Sequence, residues 1–513
     1  MYQIRNIKTE LKEKIDLRSE ISKKLSISKE QVIIKEILKR SIDARKKDNL
    51  KYNYTVLTDF RGKVKVWQDV TKYKKPQKYI QPQINLKNKN PFIIGSGPAG
   101  LFAALELVEK GFQPYIFEQG ESVENRQKTV RKFWKSGVLN TKSNVQFGEG
   151  GAGTFSDGKL TARNKDYYSS IVLKRFVEFG ANSDILFDAL PHIGSDQLIK
   201  IVINIRKYLI EKGCKFYFGH KLNSIKIKNI KLESVIINDE KFSPEILILA
   251  IGNSARDTFK MLNKNIALQS KSFAVGIRIE HPQKFINDRF FGKKADISLT
   301  GQASYRLTYK SGNRGIYSFC MCPGGFVVNA GSEENAIVLN GMSNEKRDNY
   351  YANSAIVATV DEHDFGKNTL DGIRFQQHLE KLFFNQNQPY FSPIQKAEDF
   401  LKNSISENIV KSSFGHGTYK CNISQKLPVS ISKDLHKGLI NFDSKFRGFI
   451  NNGVILAPET RTSSPIRIVR NRETFETIRI KNIFPIGEGS GYAGGIVSSA
   501  TDGVKLGNLF FEI

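Results

Sequence analysis

Three glycines with the spacing of a phosphate-binding loop occur at Gly95, Gly97 and Gly100, in the run Gly-Ser-Gly-Pro-Ala-Gly. The apolar residues 92–94 precede them and predict a short buried strand, and residues 99–110 carry apolar side chains at helical spacing. Between a strand and a helix, the first glycine permits a tight turn. The second lets a pyrophosphate approach the backbone, and the third lets the helix pack closely on the strand.

The start of the helix and an acidic residue complete this motif. Pro98 and Ala99 open the predicted helix, so its positive N-terminus is expected to face the phosphates. A second strand is predicted at 114–117, and Glu118 follows it directly. An acid at this distance from the glycines accepts hydrogen bonds from an adenosine ribose that carries no additional phosphate. These elements in register predict a dinucleotide-binding site.

Three further glycine-rich loops indicate which dinucleotide binds. They are 147–154, with Gly150 and Gly151; 246–252, which ends at Gly252; and 484–495, with Gly487, Glu488 and Gly495. FAD bound in an extended form touches several loops, whereas a lone NAD site does not require glycine loops from opposite ends of the chain. The loops therefore favour FAD. NAD(P)H is predicted only as a transient reductant at the flavin, because the further glycine loops, in which the Gly-x-Gly-x-x-Gly spacing recurs at 148–153 and 489–494, are assigned to FAD.

Two thiols follow a predicted apolar strand, Cys320 and Cys322 in the run Phe-Cys-Met-Cys-Pro-Gly-Gly. One interpretation is a redox or nucleophilic pair that exchanges electrons with the flavin. The other is a packed turn that lines the cavity, because a Cys-x-Cys disulfide closes a small strained ring and an unpaired cysteine is commonly a buried apolar group. With only Cys214 and Cys421 in addition, the chain predicts neither a disulfide framework nor a metal site.

Cationic residues are candidate ligands for a substrate. Arg461 precedes the last glycine loop and is a candidate clamp for a carboxylate or phosphate. His281 is the candidate proton donor, because an ordinary histidine titrates near neutrality, and Pro282 offers the alternative that the ring is fixed in a turn. The other candidate cations are Arg467, Arg470, Lys159, Arg163 and Arg278. Each has the alternative of an internal salt bridge or an exposed charge, and together they favour a small acidic substrate.

The elements that must position these residues predict an α/β protein. After the strands that flank the glycine motif, strands at 215–218, 225–230, 234–237 and 245–250 are expected to continue one α/β sheet. The predicted domains are a small basic α+β domain at 1–70, with a ferredoxin-like unit as a candidate; a linker at 71–90; the first part of a Rossmann-like FAD-binding domain at 91–270; an inserted, mainly antiparallel β (α+β) domain at 271–445; and the second part of the FAD-binding domain at 446–513.

The formal net charge of +28 is concentrated near the beginning of the chain. Residues 1–90 carry 24 Lys and Arg against 10 Asp and Glu. Such a surface attracts nucleic acid, anionic membranes or acidic small molecules, and without a recognised nucleic-acid motif we predict RNA or DNA binding to be unlikely but not excluded. The apolar runs are too short for a spanning helix and no signal peptide is evident, so we predict a cytoplasmic location without membrane insertion. The oligomeric state is not predicted.

Several longer runs resemble a family of uncharacterised FAD-dependent dehydrogenases, also described as NAD(FAD)-utilising, within the glutathione-reductase-like flavoprotein superfamily. The runs are 144–159, 250–257, 273–282, 319–325, 340–343, 459–465 and 487–495. The resemblance implies that Gly95, Gly97, Gly100 and Glu118 hold the AMP half of FAD, that Gly252 lies near the adenine, and that Gly487 and Glu488 contact the pyrophosphate and ribityl chain. It also implies that the helix starting near Gly495 and Ile496 directs its N-terminus at the flavin. Glu488 departs from the usual aspartate.

Three functional hypotheses follow from these patterns. The first is an FAD-dependent oxidoreductase that passes hydride or electrons between a small substrate and FAD. The second is a flavin-dependent enzyme that modifies tRNA, suggested by the basic N-terminal residues. The third is a non-enzymatic FAD-binding redox sensor in which Cys320 and Cys322 switch conformation.

Overall fold

The computed structural model describes residues 1–62, 65–76, 82–161, 167–408 and 411–512. Its N-terminal elements are β1 (Tyr2–Glu10), α1 (Leu17–Leu25), β2 (Val32–Asp43), β3 (Lys51–Phe60) and β4 (Val70–Lys72). They form an antiparallel sheet in the order β2-β3-β1-β4, with Leu17 and Ile21 of α1 packed on its apolar face. The predicted α+β character is present here. The described residues between β3 and β4 form no helix where a ferredoxin-like βαββαβ unit has its second one.

The next segment surrounds the glycine motif. It contains β5 (Ile84–Leu86), β6 (Phe92–Ile94), α2 (Pro98–Val108), β7 (Tyr115–Glu118), α3 (Val123–Ser136), α4 (Tyr167–Glu178), α5 (Ser195–Glu211), β8 (Lys215–Phe218), β9 (Leu222–Lys228), β10 (Lys231–Ile237), β11 (Glu240–Phe242), β12 (Leu247–Leu249) and α6 (Arg256–Leu262).

The longest segment follows. It contains β13 (Leu268–Ser270), β14 (Phe273–Pro282), α7 (Gln283–Phe291), α8 (Ile297–Thr300), β15 (Thr308–Ser311), β16 (Arg314–Cys322), β17 (Phe326–Asn329), β18 (Leu339–Met342), β19 (Tyr351–Val360), α9 (Glu362–Phe365), α10 (Asp371–Leu382), β20 (Ser392–Lys396), α11 (Ala397–Leu401), β21 (Thr418–Lys420), α12 (Ile423–Lys426), α13 (Val429–Lys445), β22 (Val454–Glu459) and β23 (Ile466–Ile468). The chain then continues through β24 (Ile483–Pro485), α14 (Ile496–Gly507) and β25 (Phe510–Glu512).

A five-stranded parallel sheet combines four strands from the segment around the glycine motif with β24, which follows the longest segment. Its order is β24-β12-β6-β7-β8, so the strand before the glycine motif lies at the centre and the strand before the last glycine loop lies at an edge. Helices α2 and α14 pack closely together, since a Cβ atom on Gly503 would lie 2.2 Å from the Ala99 carbonyl oxygen. Loops from distant parts of the chain therefore lie together at the carboxyl ends of the parallel strands. Ligands bind at this edge in such sheets.

The prediction that the strands at 225–230, 234–237 and 245–250 continue one sheet with β8 is wrong for the first two. Strands β9, β10 and β11 form a separate three-stranded antiparallel sheet, whereas β12 belongs to the parallel one. Buried and exposed residues alternate in β9 and β10, as is typical of strands with one covered face. Such alternation identifies a strand, but it does not identify the strand with which it pairs.

A seven-stranded sheet dominates the inserted region. Its order is β15-β16-β19-β14-β22-β20-β21, and all neighbouring pairs are antiparallel except β20 and β21. In β14 the apolar residues Val275, Ile277 and Ile279 pack into the main core of this region. The intervening residues on the opposite face include Arg278 and Glu280. Strand β22 belongs to this sheet although it lies beyond residue 445, the predicted end of the insert.

The mixed α/β architecture is confirmed, whereas the domain boundaries stay a prediction. Among the helices of the described ranges, we find none with the length and apolar character that crossing a membrane requires.

Candidate functional site

The glycine motif turns sharply between β6 and α2, at the carboxyl edge of the parallel sheet. Gly95 has a φ of +103°, and a Cβ atom there would lie 2.3 Å from the Ala250 carbonyl oxygen. A Cβ atom on Gly100 would lie 2.0 Å from the Gly95 carbonyl oxygen. These two positions therefore require glycine for packing. Gly97 is different, because its backbone suits any residue and a Cβ atom there would meet nothing nearer than 3.7 Å.

The 147–154 loop lies directly against this turn. The Gly150 N–H donates to the Ser96 carbonyl oxygen at 2.9 Å, and a Cβ atom on Gly151 would lie 3.2 Å from Gly97 Cα. Pro98 at the start of α2 and Ile496 at the start of α14 line one small apolar cavity together with Gly150. Two of the predicted loops and the two helix N-termini are thus in contact.

Glu118 connects the loops through hydrogen bonds. One carboxylate oxygen accepts from the Ser96 N–H and hydroxyl, and the other accepts from the N–H groups of Gly120 and Gly148, each at 3.0 Å. A carboxylate offers about four acceptor positions, so these donors use them all. In this structure the side chain organises the loops, and a ribose hydroxyl would have to share or displace one of these donors. The ribose contact stays a prediction.

Arg126 on α3 holds the 147–154 loop through hydrogen bonds to its backbone. This role was not predicted from the sequence. The fully buried guanidinium of Arg126 donates to five carbonyl oxygens, those of Asn144, Val145, Gly148, Glu149 and Gly151, at 2.7–3.1 Å, and it lies over the Phe155 ring. Burial lowers the pKa of this guanidinium to about 10, a value at which it remains charged near neutral pH. The only signal in the sequence is the position of Arg126 on the apolar face of an amphipathic helix.

The last glycine loop, 484–495, lies against α2 and against the loop that ends at Gly252. A Cβ atom on Gly487 would lie 2.6 Å from Ala99 Cβ, and a Cβ atom on Gly489 would lie 2.4 Å from the Gly252 carbonyl oxygen. At Gly252 and Gly495, by contrast, a Cβ atom would point into open space. Gly495 caps α14, and no side chain caps that helix or α2. Uncapped N–H groups at two helix N-termini beside open, side-chain-free backbone fit the pyrophosphate of an extended dinucleotide.

Glu488 is a partly buried acid within this loop. It accepts a hydrogen bond from Asn253 Nδ2 at 2.8 Å. Burial raises its pKa to about 7, opposed by the hydrogen bond from Asn253 and by the charge of Lys271. Burial also lowers the pKa of Lys271, and the charge of Arg467 acts in the same direction. Lys271, Glu488 and Arg467 therefore form one interacting charge cluster, and sequence reasoning missed Lys271.

His281 is not placed to donate a proton. The ring is fully buried in the insert between Phe285 and Phe449, and its Nε2 is 2.7 Å from the Phe449 carbonyl oxygen. Burial lowers the pKa of His281 to about 4, so the ring is neutral at physiological pH. The structure therefore corrects this prediction: His281 is a core residue.

We expect His281→Phe to keep the FAD content of the wild type and to reduce the acid sensitivity of folding. A histidine with a folded-state pKa below its unfolded value adds stability above about pH 6.5, and that contribution is lost as the pH falls towards about 4. Urea unfolding of both proteins near pH 7 and near pH 4.5 measures the difference. Equal losses of stability in the two proteins would contradict the assignment of a buried neutral histidine.

Most of the predicted substrate-binding arginines have protein partners. Arg461 forms a two-point ion pair with the buried Glu380 and also donates to Ser332. The other ion pairs are Arg470 with Asp502, Arg278 with Glu459, and Lys159 with Asp157. Arg461 is thus a structural residue, which corrects its assignment as a substrate clamp.

Arg467, unlike Arg278, Arg461 and Arg470, has no ion-pair partner in the described part of the chain. Its guanidinium lies over the Tyr492 ring, and its buried Nε has no hydrogen-bond partner among the residues that the structure describes. Arg163 lies outside the described residues.

Glu380 is the centre of a buried network that joins the insert to the glycine loops. It pairs with Arg256 at the start of α6 as well as with Arg461, and it accepts from the Thr460 hydroxyl. Arg256 additionally pairs with Glu333. The two arginines hold the pKa of Glu380 well below its usual range despite complete burial. Sequence reasoning missed this network.

The thiol pair lies at the end of β16, where the strand register shifts opposite β19. Cys320 is partly exposed with a φ of +44°, and Cys322 is buried, with its thiol 3.2 Å from the Cys320 carbonyl oxygen. The charge of Cys320 acts to raise the pKa of Glu488. The pair is thus close enough to the last glycine loop to interact with it electrostatically.

Comparison with known proteins gives one full-length relative. An uncharacterized protein of Clostridium beijerinckii is 42% identical over 529 aligned positions, which cover 99% of this chain and 98% of that protein. The chain belongs to the family of that protein. Residues 272–462 match the family described as FAD-dependent protein, C-terminal domain-like, and residues 1–58 match a domain of unknown function. The first match ends close to β22, so it contains the complete seven-stranded sheet.

Some solved structures are distantly similar to this chain. A geranylgeranyl bacteriochlorophyll reductase-like protein of Thermoplasma acidophilum is 10% identical with a TM-score of 0.36, covering 82% of this chain and 77% of that chain. A tetracycline destructase is 11% identical with a TM-score of 0.32, covering 82% and 79%.

Proposed function

We propose that this chain binds FAD between the glycine loops and acts as an FAD-dependent oxidoreductase on a small anionic substrate. The observation that carries the proposal is the convergence of Gly97, Gly151, Gly252 and Gly487, from distant parts of the chain, at the carboxyl edge of one parallel sheet. The match of residues 272–462 to an FAD-dependent protein family supports the same cofactor. FAD, when bound, supplies two-electron redox chemistry, which the side chains alone do not.

The proposed roles of the chain's residues follow from their positions. The N-terminus of α2 and the backbone at Gly97 hold the pyrophosphate, and Glu118 fixes the loops that bind the adenosine ribose. The N-terminus of α14, at Gly495 and Ile496, stabilises negative charge on the reduced flavin with its partial positive charge. Arg467 and Lys271 supply the positive charge that recognises an acidic substrate.

Anaerobic mixing of the purified flavoprotein with NADH or NADPH tests the nicotinamide-linked form of this function. We expect the long-wavelength absorbance band of the flavin to disappear with at least one of the two nucleotides. Dithionite serves as the control, because it reduces accessible flavin without any nucleotide site. Bleaching by dithionite alone would contradict a nicotinamide-linked dehydrogenase.

No contact in the described part of the chain specifically favours tRNA modification, and that hypothesis stays a prediction. It requires salt-sensitive RNA binding that is lost when residues 1–90 are removed.

A further inference from the structure

The two thiols of β16 differ in access, as a nucleophile and its resolving partner must. Cys320 is partly exposed, whereas Cys322 is completely buried. The shifted register brings Cys322 opposite Asn353, and Cys320 adopts the left-handed backbone conformation that side chains other than glycine rarely adopt. Such strain in a non-glycine residue occurs preferentially at functional sites.

The Cys322 thiol lies against the backbone of Cys320. Interaction between the two side chains lowers the pKa of Cys320 and raises the pKa of Cys322, which favours the thiolate on Cys320. The Cys322 thiol is 3.2 Å from the Cys320 carbonyl oxygen. The fold thus places the Cys322 thiol beside residue 320 before any disulfide forms.

One cation borders Cys322, and a second one acts on the thiols electrostatically. A Cβ atom on Gly341 would lie 2.3 Å from Arg278 Nη1 and 2.9 Å from Cys322 Sγ, so the guanidinium and this sulfur border the same small space. The ammonium group of Lys159, paired with Asp157 at 3.1 Å, is the second cation. The interaction with the Cys322 side chain is the largest influence that lowers the pKa of Cys320, followed by Lys159 and Arg278, and burial opposes them.

We propose that Cys320 and Cys322 form a dithiol site for a disulfide substrate, with Cys320 as the attacking thiolate and Cys322 as the resolving thiol. The other two cysteines do not share this environment. Burial raises the pKa of Cys214 to about 12 and also raises the pKa of Cys421. The chain therefore contains two inert thiols for comparison.

The reaction balances as two successive exchanges. The Cys320 thiolate attacks one sulfur of the substrate, forms a mixed disulfide and releases the first substrate thiolate. Cys322 gives its proton to that thiolate and attacks Cys320, which forms the Cys320–Cys322 disulfide and releases the second substrate thiolate. The pair is oxidised by two electrons and the substrate is reduced by two.

The next turnover rests on the proposed function. FAD, when bound and reduced, would supply the hydride equivalent that converts the Cys320–Cys322 disulfide back to one thiolate and one thiol. A Cys-x-Cys disulfide is strained, and strained disulfides are the more easily reduced ones. This property suits a disulfide that forms and breaks in each cycle.

An aromatic disulfide reagent, dithiobis-nitrobenzoate, tests the site on the full-length protein. We expect the wild type to release two equivalents of coloured thiolate rapidly and to carry no adduct, with the Cys320–Cys322 disulfide found by peptide mass spectrometry. Cys322→Ser should release one equivalent and keep the adduct on Cys320, and Cys320→Ser should lose the rapid phase. Cys421→Ser is the matched control and should behave like the wild type.

Alkylation with iodoacetamide near pH 6 provides a second readout that needs no flavin. We expect Cys320 to react at least about tenfold faster than Cys214 and Cys421 in the same molecule. Equal rates at the three cysteines, or a wild-type protein that keeps the aromatic adduct, would overturn the dithiol site. Absence of flavin from a sample in which Cys320 reacts rapidly would instead contradict the proposed function and leave the dithiol site intact.

Discussion

Gly97→Ala is expected to fold like the wild type and to bind FAD about 100-fold more weakly, a loss of about 3 kcal/mol. The alanine Cβ would lie 3.7 Å from Gly151 Cα, an ordinary contact, and the backbone at residue 97 has a conformation open to any residue. The methyl group would occupy the surface that the pyrophosphate approaches, and hydrogen bonds to a charged group contribute about 1.5–3 kcal/mol each. Titration of the apoprotein with FAD, followed by flavin fluorescence, measures the change.

Two further glycine variants make this experiment specific. Gly415→Ala, at an exposed position where a Cβ atom meets nothing within 4 Å, should bind FAD like the wild type. Gly100→Ala should fail to fold properly, because its Cβ atom would lie 2.0 Å from the Gly95 carbonyl oxygen. Wild-type affinity in Gly97→Ala would show that the pyrophosphate does not lie against this turn.

Glu380→Gln is expected to lower the free energy of unfolding by about 3–5 kcal/mol. The substitution removes the charge that Arg256 and Arg461 share, and it leaves both guanidinium groups buried without that compensation. Because the folded-state pKa of Glu380 lies below its ordinary value, its contribution is present at neutral pH and is lost as the pH falls. Urea unfolding near pH 7 measures the difference.

Glu20→Gln is the matched control for that experiment. Glu20 forms an exposed ion pair with Lys23 one helical turn away, so its replacement should cost less than about 1 kcal/mol. A loss that is equally small in Glu380→Gln would mean that the buried network does not stabilise the junction between the insert and α6.

The glycine loops that we propose to bind FAD were the part of the molecule best predicted from the sequence. Tight turns that need glycine leave a local pattern, so Gly95 and Gly100 stand out without knowledge of any partner. The positions of Gly150 and Gly487 against this turn confirm that the predicted loops come together. The role of each loop in binding FAD stays a prediction.

The failures involve residues whose environment depends on distant parts of the chain. His281 lies on β14, which is buried on both faces, and the sequence of that strand alone suggests a more accessible residue. The three arginines 461, 467 and 470 look equivalent in sequence, yet buried acids neutralise two of them. Arg126 and Glu380 were not predicted. A buried charged residue can be identified only from the residues that hydrogen-bond to it or neutralise it, and these lie up to 124 residues away in the chain.

The most direct test of FAD binding between the glycine loops is the cofactor content of the purified wild-type protein. The protein as isolated, or after reconstitution and removal of free flavin, should contain close to one FAD per chain, identified by mass spectrometry of the released cofactor. A folded protein that retains no flavin after incubation with excess FAD would contradict FAD binding between the glycine loops.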